Sequence, residues 1–175
     1  MKKYLAVAAL TAAATAVIAA PATAAGVPAA APLDIVGQDI NYTAAAKAEG
    51  MAAPTRNYTI SARYGQAGPM WSSGRHTGLD FAAREGTTID AADSGKVVSA
   101  GPAGAYGNLI EIAHGDGTRT RYAHLSDIDV KPGEKVSRGE HIGDLGNTGN
   151  SSGPHLHFEV LVDGDHADPQ QFLNL

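Results

Sequence analysis

The sequence predicts an all-β fold, in the form of a small antiparallel β domain, and three observations favour it. The 175 residues include 21 glycines, and 43% are hydrophobic but only 6% aromatic, which indicates small side chains and many turns. From Tyr58 onward, short apolar runs alternate with Gly, Pro and Asp at close spacing, as in many-stranded antiparallel sheets. The clearest hairpin joins residues 109–112 to residues 118–122 through Gly115-Asp116-Gly117, which tolerate positive φ.

Four further segments are predicted to form strands, because each is a short β-prone run bounded by turn residues. They are residues 87–91, 96–100, 141–145 and 156–162. The stretch 131–143 places two turns around Val136. The chain shows no internal repeat of 20 to 50 residues, so we expect one compact β domain rather than a repeat array.

The first 24 residues are predicted to be a cleaved signal peptide. Lys2 and Lys3 precede an apolar run that ends at Pro21, and Ala22-Thr23-Ala24 offers the small residues that a signal peptidase recognises. A retained membrane anchor needs about 20 predominantly apolar residues, whereas this run is shorter and rich in Ala and Thr. We therefore expect a secreted, extracellular protein with no stable membrane anchor after cleavage.

Residues 25–56 are predicted to be a linker or pro-segment, because they consist mainly of Ala, Pro and small polar residues. The one apolar cluster, residues 33–36, is too small to form a core. We expect this segment to be dispensable for folding. The folded domain is therefore predicted to span residues 57–175.

Charge and cysteine content exclude several classes of protein. The chain has 13 Lys and Arg against 18 Asp and Glu, a formal net charge of −5, so it lacks the basic surplus of a general nucleic-acid binder. It has no cysteine. A disulfide scaffold, a thiolate metal site and a cysteine nucleophile are therefore all excluded.

Three groups of residues point to a metal-dependent hydrolytic site. His155 and His157 lie on one face of a predicted strand, since strand side chains alternate and Leu156 points the other way. His76 and Asp80 lie on a loop that enters a strand, and His124 ends the hairpin strand. Imidazole and carboxylate ligands suit zinc, which with three protein ligands keeps a position for a reactive water. The spacing alone does not decide which of His155 and His157 binds the metal.

The three motifs together resemble the lysostaphin-type zinc endopeptidases of bacterial cell walls, peptidase family M23. The motifs are His76-x-Gly78-x-Asp80, Tyr122-x-His124-Leu125 and Gly153-Pro-His155-Leu-His157-Phe-Glu159. The resemblance runs from about residue 58 to the C-terminus. It includes Ala105-Tyr-Gly-Asn108 before the hairpin and residues 146–153 before the last motif.

The resemblance implies a function and a role for each site residue. His76, Asp80 and His157 would bind Zn²⁺, while His124 and His155 stay unligated, activate the metal-bound water and stabilise the oxyanion. The site would lie in a groove on one sheet. The substrate would be the peptide part of peptidoglycan, which places the protein at the cell wall.

The resemblance also bears on which peptide bond is cut. Enzymes of the family that cut glycine bridges tend to carry a Tyr shortly before the first ligand, and residues 69–75 contain none. We therefore predict cleavage of the stem-peptide cross-link between D-alanine and a diamino acid. Arg75 and Arg121 are candidates to pair with the free carboxylates of such a substrate.

Other residues near these motifs receive simpler interpretations. Glu159 is a candidate to orient a ligand imidazole, and the loop 147–153 is a candidate wall of the groove. His114 is expected to be structural or solvated. His141 and His166, in charged and turn-rich stretches, are expected to be exposed.

Three alternative functions remain at this stage. A zinc-free M23-like module could regulate another cell-wall hydrolase, but such modules usually lack ligands, and every motif residue is present here. Two histidines and one carboxylate also form the facial triad of non-haem iron oxygenases, which the spare pair His124 and His155 disfavours. The pattern around Val136 and Gly139 resembles lipoyl and biotinyl carrier hairpins, but no lysine lies at a suitable turn.

Overall fold

The computed structural model of the protein describes residues 50–71 and 73–175. The predicted signal peptide and most of the predicted linker lie outside these residues. The described part of the chain forms strands and two 3-10 helices, Gly104–Tyr106 and Pro169–Gln171. The strands are β1 Met51–Ala52, β2 Thr59–Ala62, β3 Leu79–Ala82, β4 Thr88–Asp90, β5 Gly95–Pro102, β6 Asn108–Ala113, β7 Thr118–Leu125, β8 Asp127–Ile128, β9 Lys135–Val136, β10 His141–Asp144, β11 His155–Val162, β12 Asp165–Ala167 and β13 Leu173–Asn174.

One large sheet dominates the fold. Its strand order is β2-β3-β11-β7-β6-β5-β9, with β12 paired to β11 beyond β3, and every pair in it is antiparallel. A second antiparallel sheet has the order β4-β10-β8. The short strands β1 and β13 pair in parallel. The predicted all-β, antiparallel fold is confirmed, with this parallel pair as an addition.

The alternation of side chains along β11 separates the core from the functional face of the sheet. Phe158 is fully buried, and its ring packs edge-to-face against Tyr122 of β7, at a centroid distance of 5.3 Å. The core-facing residues of β11 are Leu156, Phe158 and Val160, and those of the opposite face are His155, His157 and Glu159. The core therefore fixes the face on which the histidines appear.

The packed structure begins before residue 57. Met51 is only 6% exposed and belongs to the core, and its N–H donates to the carbonyl oxygen of Phe172 at 2.7 Å. The N–H of Ala52 donates to the carbonyl oxygen of Ala92 at 2.9 Å. Part of the predicted linker thus packs with the β domain. Among the described residues, no helix is long and apolar enough to cross a membrane.

Candidate metal centre

Asp80 and His157 face each other across β3 and β11. They are direct partners in the antiparallel ladder, so their side chains leave the same face of the sheet side by side. Leu79 and Phe81, on either side of Asp80, are fully buried in the core. Alternation along β3 therefore turns Asp80 outward, toward His157. His76 reaches the same point from the loop that precedes β3.

Gly78 lets this loop approach β11 closely. A β-carbon at residue 78 would collide with the main-chain oxygen of Phe158 and would lie 2.9 Å from Cε1 of the His157 ring. Any larger residue would therefore push the loop away from His157. This close approach is the physical reason for glycine between His76 and Asp80.

Three potential ligand atoms converge in this cluster: Nε2 of His76, Oδ1 of Asp80 and Nδ1 of His157. The two nitrogens lie 3.0 Å apart, and Oδ1 of Asp80 is 3.0 Å from His76 Nε2 and 2.8 Å from His157 Nδ1. Nδ1 of His76 lies 3.0 Å from the carbonyl oxygen of Arg63, which can only accept a hydrogen bond. Nε2 of His157 lies 3.1 Å from a carboxylate oxygen of Glu159.

These outer hydrogen bonds fix the tautomers of both rings. In the neutral rings, each hydrogen lies on the outer nitrogen, so the inner nitrogens direct lone pairs at one another and at a carboxylate oxygen. Such an arrangement is repulsive unless a positive charge lies among the three atoms. Two imidazoles and one carboxylate are also a common ligand set for divalent zinc. The cluster therefore fits a divalent metal ion.

The pKa values in the cluster follow from the same contacts. Burial favours a raised pKa for Asp80, but His157 and His76, whose inner nitrogens can donate to the carboxylate when the rings are protonated, outweigh it and hold the pKa of that carboxyl well below its usual range. Burial favours a lowered pKa for His157, but hydrogen bonds to Asp80 and Glu159 raise it to about 9. A proton on Nδ1 of His157 and a divalent cation in the cluster would each relieve the repulsion among the three converging atoms. Proton and metal ion therefore compete for the same site.

Glu159 lies fully buried beneath the cluster and collects hydrogen bonds from four side chains. Its Oε1 accepts from His157, from the Thr77 hydroxyl at 2.5 Å and from the Tyr106 hydroxyl at 3.0 Å, while Arg121 donates to Oε2 at 3.4 Å. Burial would raise the pKa of Glu159, but the bonds from His157 and Thr77 lower it to about 2. An ionised carboxylate held on several sides orients the His157 ring, in agreement with the interpretation of Glu159 from the sequence.

His124 and His155 lie beside the cluster, with their ring centroids 4.8 Å apart. Nδ1 of His124 lies 2.8 Å from the carbonyl oxygen of Thr148, and Nδ1 of His155 lies 2.7 Å from that of Gly153. Because a carbonyl only accepts, both rings carry their hydrogen on Nδ1 when neutral, and Nε2 has a lone pair. Nε2 of His155 lies 3.8 Å from Oδ2 of Asp80. Neither histidine is among the three converging ligands.

An irregular backbone positions His124. Its φ is +64°, a left-handed value that is uncommon for a residue other than glycine. The loop that binds its ring contains Gly149 and packs against Gly107 of another loop. Both glycines have positive φ, and a β-carbon on Gly149 would collide with the main chain of Gly107. This backbone contact places the Thr148 carbonyl against the His124 ring. Burial lowers the pKa of His124 to about 4.

The cluster opens into a cleft of about 520 Å³. One wall consists of residues 69–71 together with Ser73 and Arg75, and the Trp71 ring lies 5.0 Å from the ring of His76. Residues 150–152 form part of the opposite wall. The predicted contribution of the loop 147–153 to the groove is thus confirmed for these three residues.

Two side chains have surroundings that differ from their interpretation from the sequence. His166, expected to be exposed, lines the cleft, with its buried Nε2 at 3.2 Å from Oε2 of Glu159 but outside hydrogen-bond geometry. The tight β11–β12 hairpin folds it back onto the functional face. Arg121, a candidate for substrate carboxylates, instead donates to Oε2 of Glu111 at 2.7 Å and to Glu159. Its charge is already compensated within the protein.

Comparison with known protein families matches residues 74–169 to peptidase family M23, and the chain belongs to this family. The matched segment contains the three converging ligands and both neighbouring histidines. Among curated proteins, the peptidoglycan DD-endopeptidase ShyA of Vibrio cholerae is 49% identical over 89 residues, which is 51% of this chain and 21% of ShyA. Lysostaphin of Staphylococcus simulans is 39% identical over 135 residues, which is 74% of this chain and 27% of lysostaphin.

The structural likeness concerns the same domain. The catalytic domain of lysostaphin from Staphylococcus simulans matches with a TM-score of 0.63 and 39% identity, over 66% of this chain and 92% of that domain. By contrast, the chain spans between 20% and 37% of the length of these and other curated relatives that it matches. The comparison therefore extends to one domain of those proteins and not to the rest of them.

Proposed function

We propose that the protein is a secreted zinc endopeptidase that hydrolyses peptide bonds in peptidoglycan. The observation that carries the proposal is the convergence of His76 Nε2, Asp80 Oδ1 and His157 Nδ1 in the open cleft of an M23 domain. The name of ShyA gives the substrate class, since that relative is a peptidoglycan DD-endopeptidase. The predicted signal peptide, residues 1–24, supports action outside the cell.

In this proposal, His76, Asp80 and His157 hold zinc, and His124 and His155 act on the substrate. Bound zinc supplies a Lewis acid that polarises the substrate carbonyl and lowers the pKa of water. In its neutral form, each of the two other histidines has a lone pair on Nε2 that can accept the proton of the attacking water. Once protonated, the same nitrogen can donate to the developing negative oxygen or to the leaving amine. Their Nδ1 bonds to carbonyl oxygens keep both rings in the tautomer that this exchange requires.

Supporting residues keep this arrangement rigid. Glu159 orients the His157 ring, and the carbonyl oxygen of Arg63 orients that of His76. The contact between Gly107 and Gly149 holds the loop that binds His124. A site fixed in this way loses little free energy to reorganisation during the reaction.

The experiment that tests the proposed function combines metal analysis with wall digestion. The purified protein should contain one zinc ion per chain, and it should release peptide fragments from purified walls, identified by mass spectrometry. A chelator should abolish the release, and added zinc should restore it. A protein that folds but neither binds zinc nor releases fragments would instead fit the alternative, a silent M23-like module that regulates another cell-wall hydrolase.

We propose the stem-peptide cross-link, rather than a glycine bridge, as the bond that is cut. The cleft wall formed by residues 69–71, Ser73 and Arg75 offers Met70 and Trp71 but no tyrosine hydroxyl. The test offers a pentaglycine peptide and a cross-linked muropeptide dimer side by side. Efficient cutting of pentaglycine with the dimer untouched would overturn this preference.

A further inference from the structure

Arg75 gives the cleft a cation that no acidic side chain of the described chain neutralises. It lies in the wall directly before the ligand His76 and is exposed to solvent. The only acidic residue of the cleft lining is Asp80, whose Oδ1 belongs to the metal-binding cluster. No carboxylate among residues 50–71 and 73–175 lies within ion-pair distance of the Arg75 guanidinium. A negative group that enters this cleft therefore meets an available positive partner.

The other arginines on this face differ from Arg75. Nη1 of Arg119 and Nε of Arg121 each lie 2.7 Å from a carboxylate oxygen of Glu111. Arg121 also reaches Glu159 at 3.4 Å. Both guanidinium groups thus serve ion pairs within the sheet, which leaves Arg75 as the arginine of the cleft lining that is available to a substrate.

The backbone and one side-chain bond hold Arg75 in place. Its main chain bridges to Ala67, and its carbonyl oxygen accepts the hydroxyl of Ser73 at 2.5 Å. Nη1 donates to the carbonyl oxygen of Gly65 at 3.3 Å. Since a guanidinium has five N–H donors, this single bond braces the group and leaves donors for a carboxylate.

We infer that Arg75 determines substrate specificity by binding a free carboxylate next to the scissile bond. The inference rests on the proposed function. In a stem-peptide cross-link, a diamino acid provides the leaving amine. The carbon that bears this amine, and is thus bonded directly to the amide nitrogen, can also carry a free carboxylate. Arg75 lies one residue before His76, which would hold the metal in that proposal. A carboxylate close to the scissile bond, rather than a distant charge, is therefore the group that its position suits.

The test uses two enzymes and two substrates in all combinations. The substrates are one muropeptide dimer with the free carboxylate and the same dimer with that group amidated. The enzymes are the wild-type chain and Arg75→Gln, and kcat/KM is measured by chromatography of the products. We expect Arg75→Gln to lower kcat/KM for the carboxylate dimer by about 10-fold, as for a lost charge-assisted hydrogen bond in a solvated cleft. The amidated dimer should lose less than about 2-fold.

Three controls keep the result interpretable. Arg84→Gln, an exposed arginine outside the cleft lining, should leave both rates unchanged. Arg75→Lys keeps the charge without the forked donors and should retain part of the preference. Zinc content, measured on every variant, shows whether the ligand His76 beside the substitution is still in place.

The outcomes separate the inference from the proposed function. Equal losses on both dimers, or no loss on either, would overturn the role of Arg75 and leave the endopeptidase function intact. A wild-type chain that cuts pentaglycine but neither dimer would also overturn the inference while sparing that function. A wild-type chain that cuts none of the three substrates would overturn both.

Discussion

Regular β structure alone positions His157 and Asp80, whereas loop carbonyls hold the rings of His124, near the end of β7, and His155, at the start of β11. The first two are ladder partners on β11 and β3, and core packing on the opposite face fixes their direction. His124 has a φ of +64°, and both of these rings hydrogen-bond to carbonyl oxygens of loops. In the proposed function, the sheet thus positions two of the three metal ligands, and loops orient the two histidines that act on the substrate.

Removal of a ladder ligand should have the largest effect on this arrangement. We expect His157→Ala and Asp80→Ala to lose zinc and to reduce wall-digesting activity to background, because two ligands do not hold the ion against chelation. Zinc per chain is measured by mass spectrometry, beside the rate of fragment release. His141→Ala, an exposed histidine outside the cleft, serves as the control and should keep both.

The loop-held histidines should behave differently from the ligands. We expect His124→Ala and His155→Ala to keep one zinc ion per chain and to lose activity by about 100- to 10,000-fold, the range for removal of an acid or base group. Zinc content and kcat are measured on the same preparations. If His155→Ala proved zinc-free while His157→Ala retained the ion, the assignment within the pair would be reversed.

Glu159 connects His157 to Thr77, Tyr106 and Arg121. Its substitution therefore tests how much a residue behind the three proposed ligands contributes to zinc affinity. Glu159→Gln should weaken zinc affinity by about 10- to 100-fold, because the amide no longer provides the charge that orients the His157 ring. Affinity is measured by competition with a chelator of known zinc affinity.

Glu111→Gln is the matched control for this substitution. It removes another buried carboxylate that binds Arg121, on the same face, without a contact to a ligand histidine. We expect it to lower thermal stability and to leave zinc affinity unchanged. An equal loss of affinity in both variants would mean that the sheet, and not the contact between Glu159 and His157, supports the metal.

The contrast between strand-held and loop-held residues also explains how much could be predicted from the sequence. Strand alternation places His155 and His157 on one face, and the structure has them there, because a buried Phe158 leaves no other choice. The hairpin through Gly115-Asp116-Gly117 was also predictable from turn chemistry. Which of His155 and His157 joins His76 and Asp80 in the cluster was not predictable from the spacing, since it depends on which one lies opposite Asp80 in the register.

Other features left no local signal in the sequence. The place of His166 in the cleft depends on the register of the β11–β12 hairpin. The pairing of Arg121 with Glu111, by contrast, was within reach of the sequence, because the two residues are ladder partners in the predicted β6–β7 hairpin. The two-residue strand β1 is too short to show a period, although Met51 belongs to the core. The dispensability of the segment before the domain stays a prediction, and a shortened chain should begin at Gly50 so that this contact is kept.

Substitution of His114 should have the smallest effect. It tests what burial alone does to a histidine that lies outside the metal-binding cluster. Its Nδ1 lies 2.9 Å from the carbonyl oxygen of Ser94, the same mode that holds His124, but its Nε2 meets the Thr120 hydroxyl at 2.7 Å. Burial lowers the pKa of His114, against the opposing effects of the Ser94 carbonyl, Asp93 and Asp116.

This shift makes stability depend on pH in a defined direction. Above its ordinary value of 6.5, His114 is neutral in both the folded and the unfolded chain and contributes no dependence. Below that value, the unfolded chain takes up a proton that the folded chain still refuses, so the free energy of unfolding falls as the pH falls. One such proton contributes at most about 1.4 kcal/mol per pH unit to the free energy of unfolding.

We expect His114→Gln to remove this contribution, so that its urea unfolding curves change less than those of the wild type between pH 7 and pH 5.5. Arg84→Gln should follow the wild type, because arginine does not titrate in this range. A slope that His114→Gln leaves unchanged would show that other groups, among them the site histidines, account for the acid sensitivity of the fold.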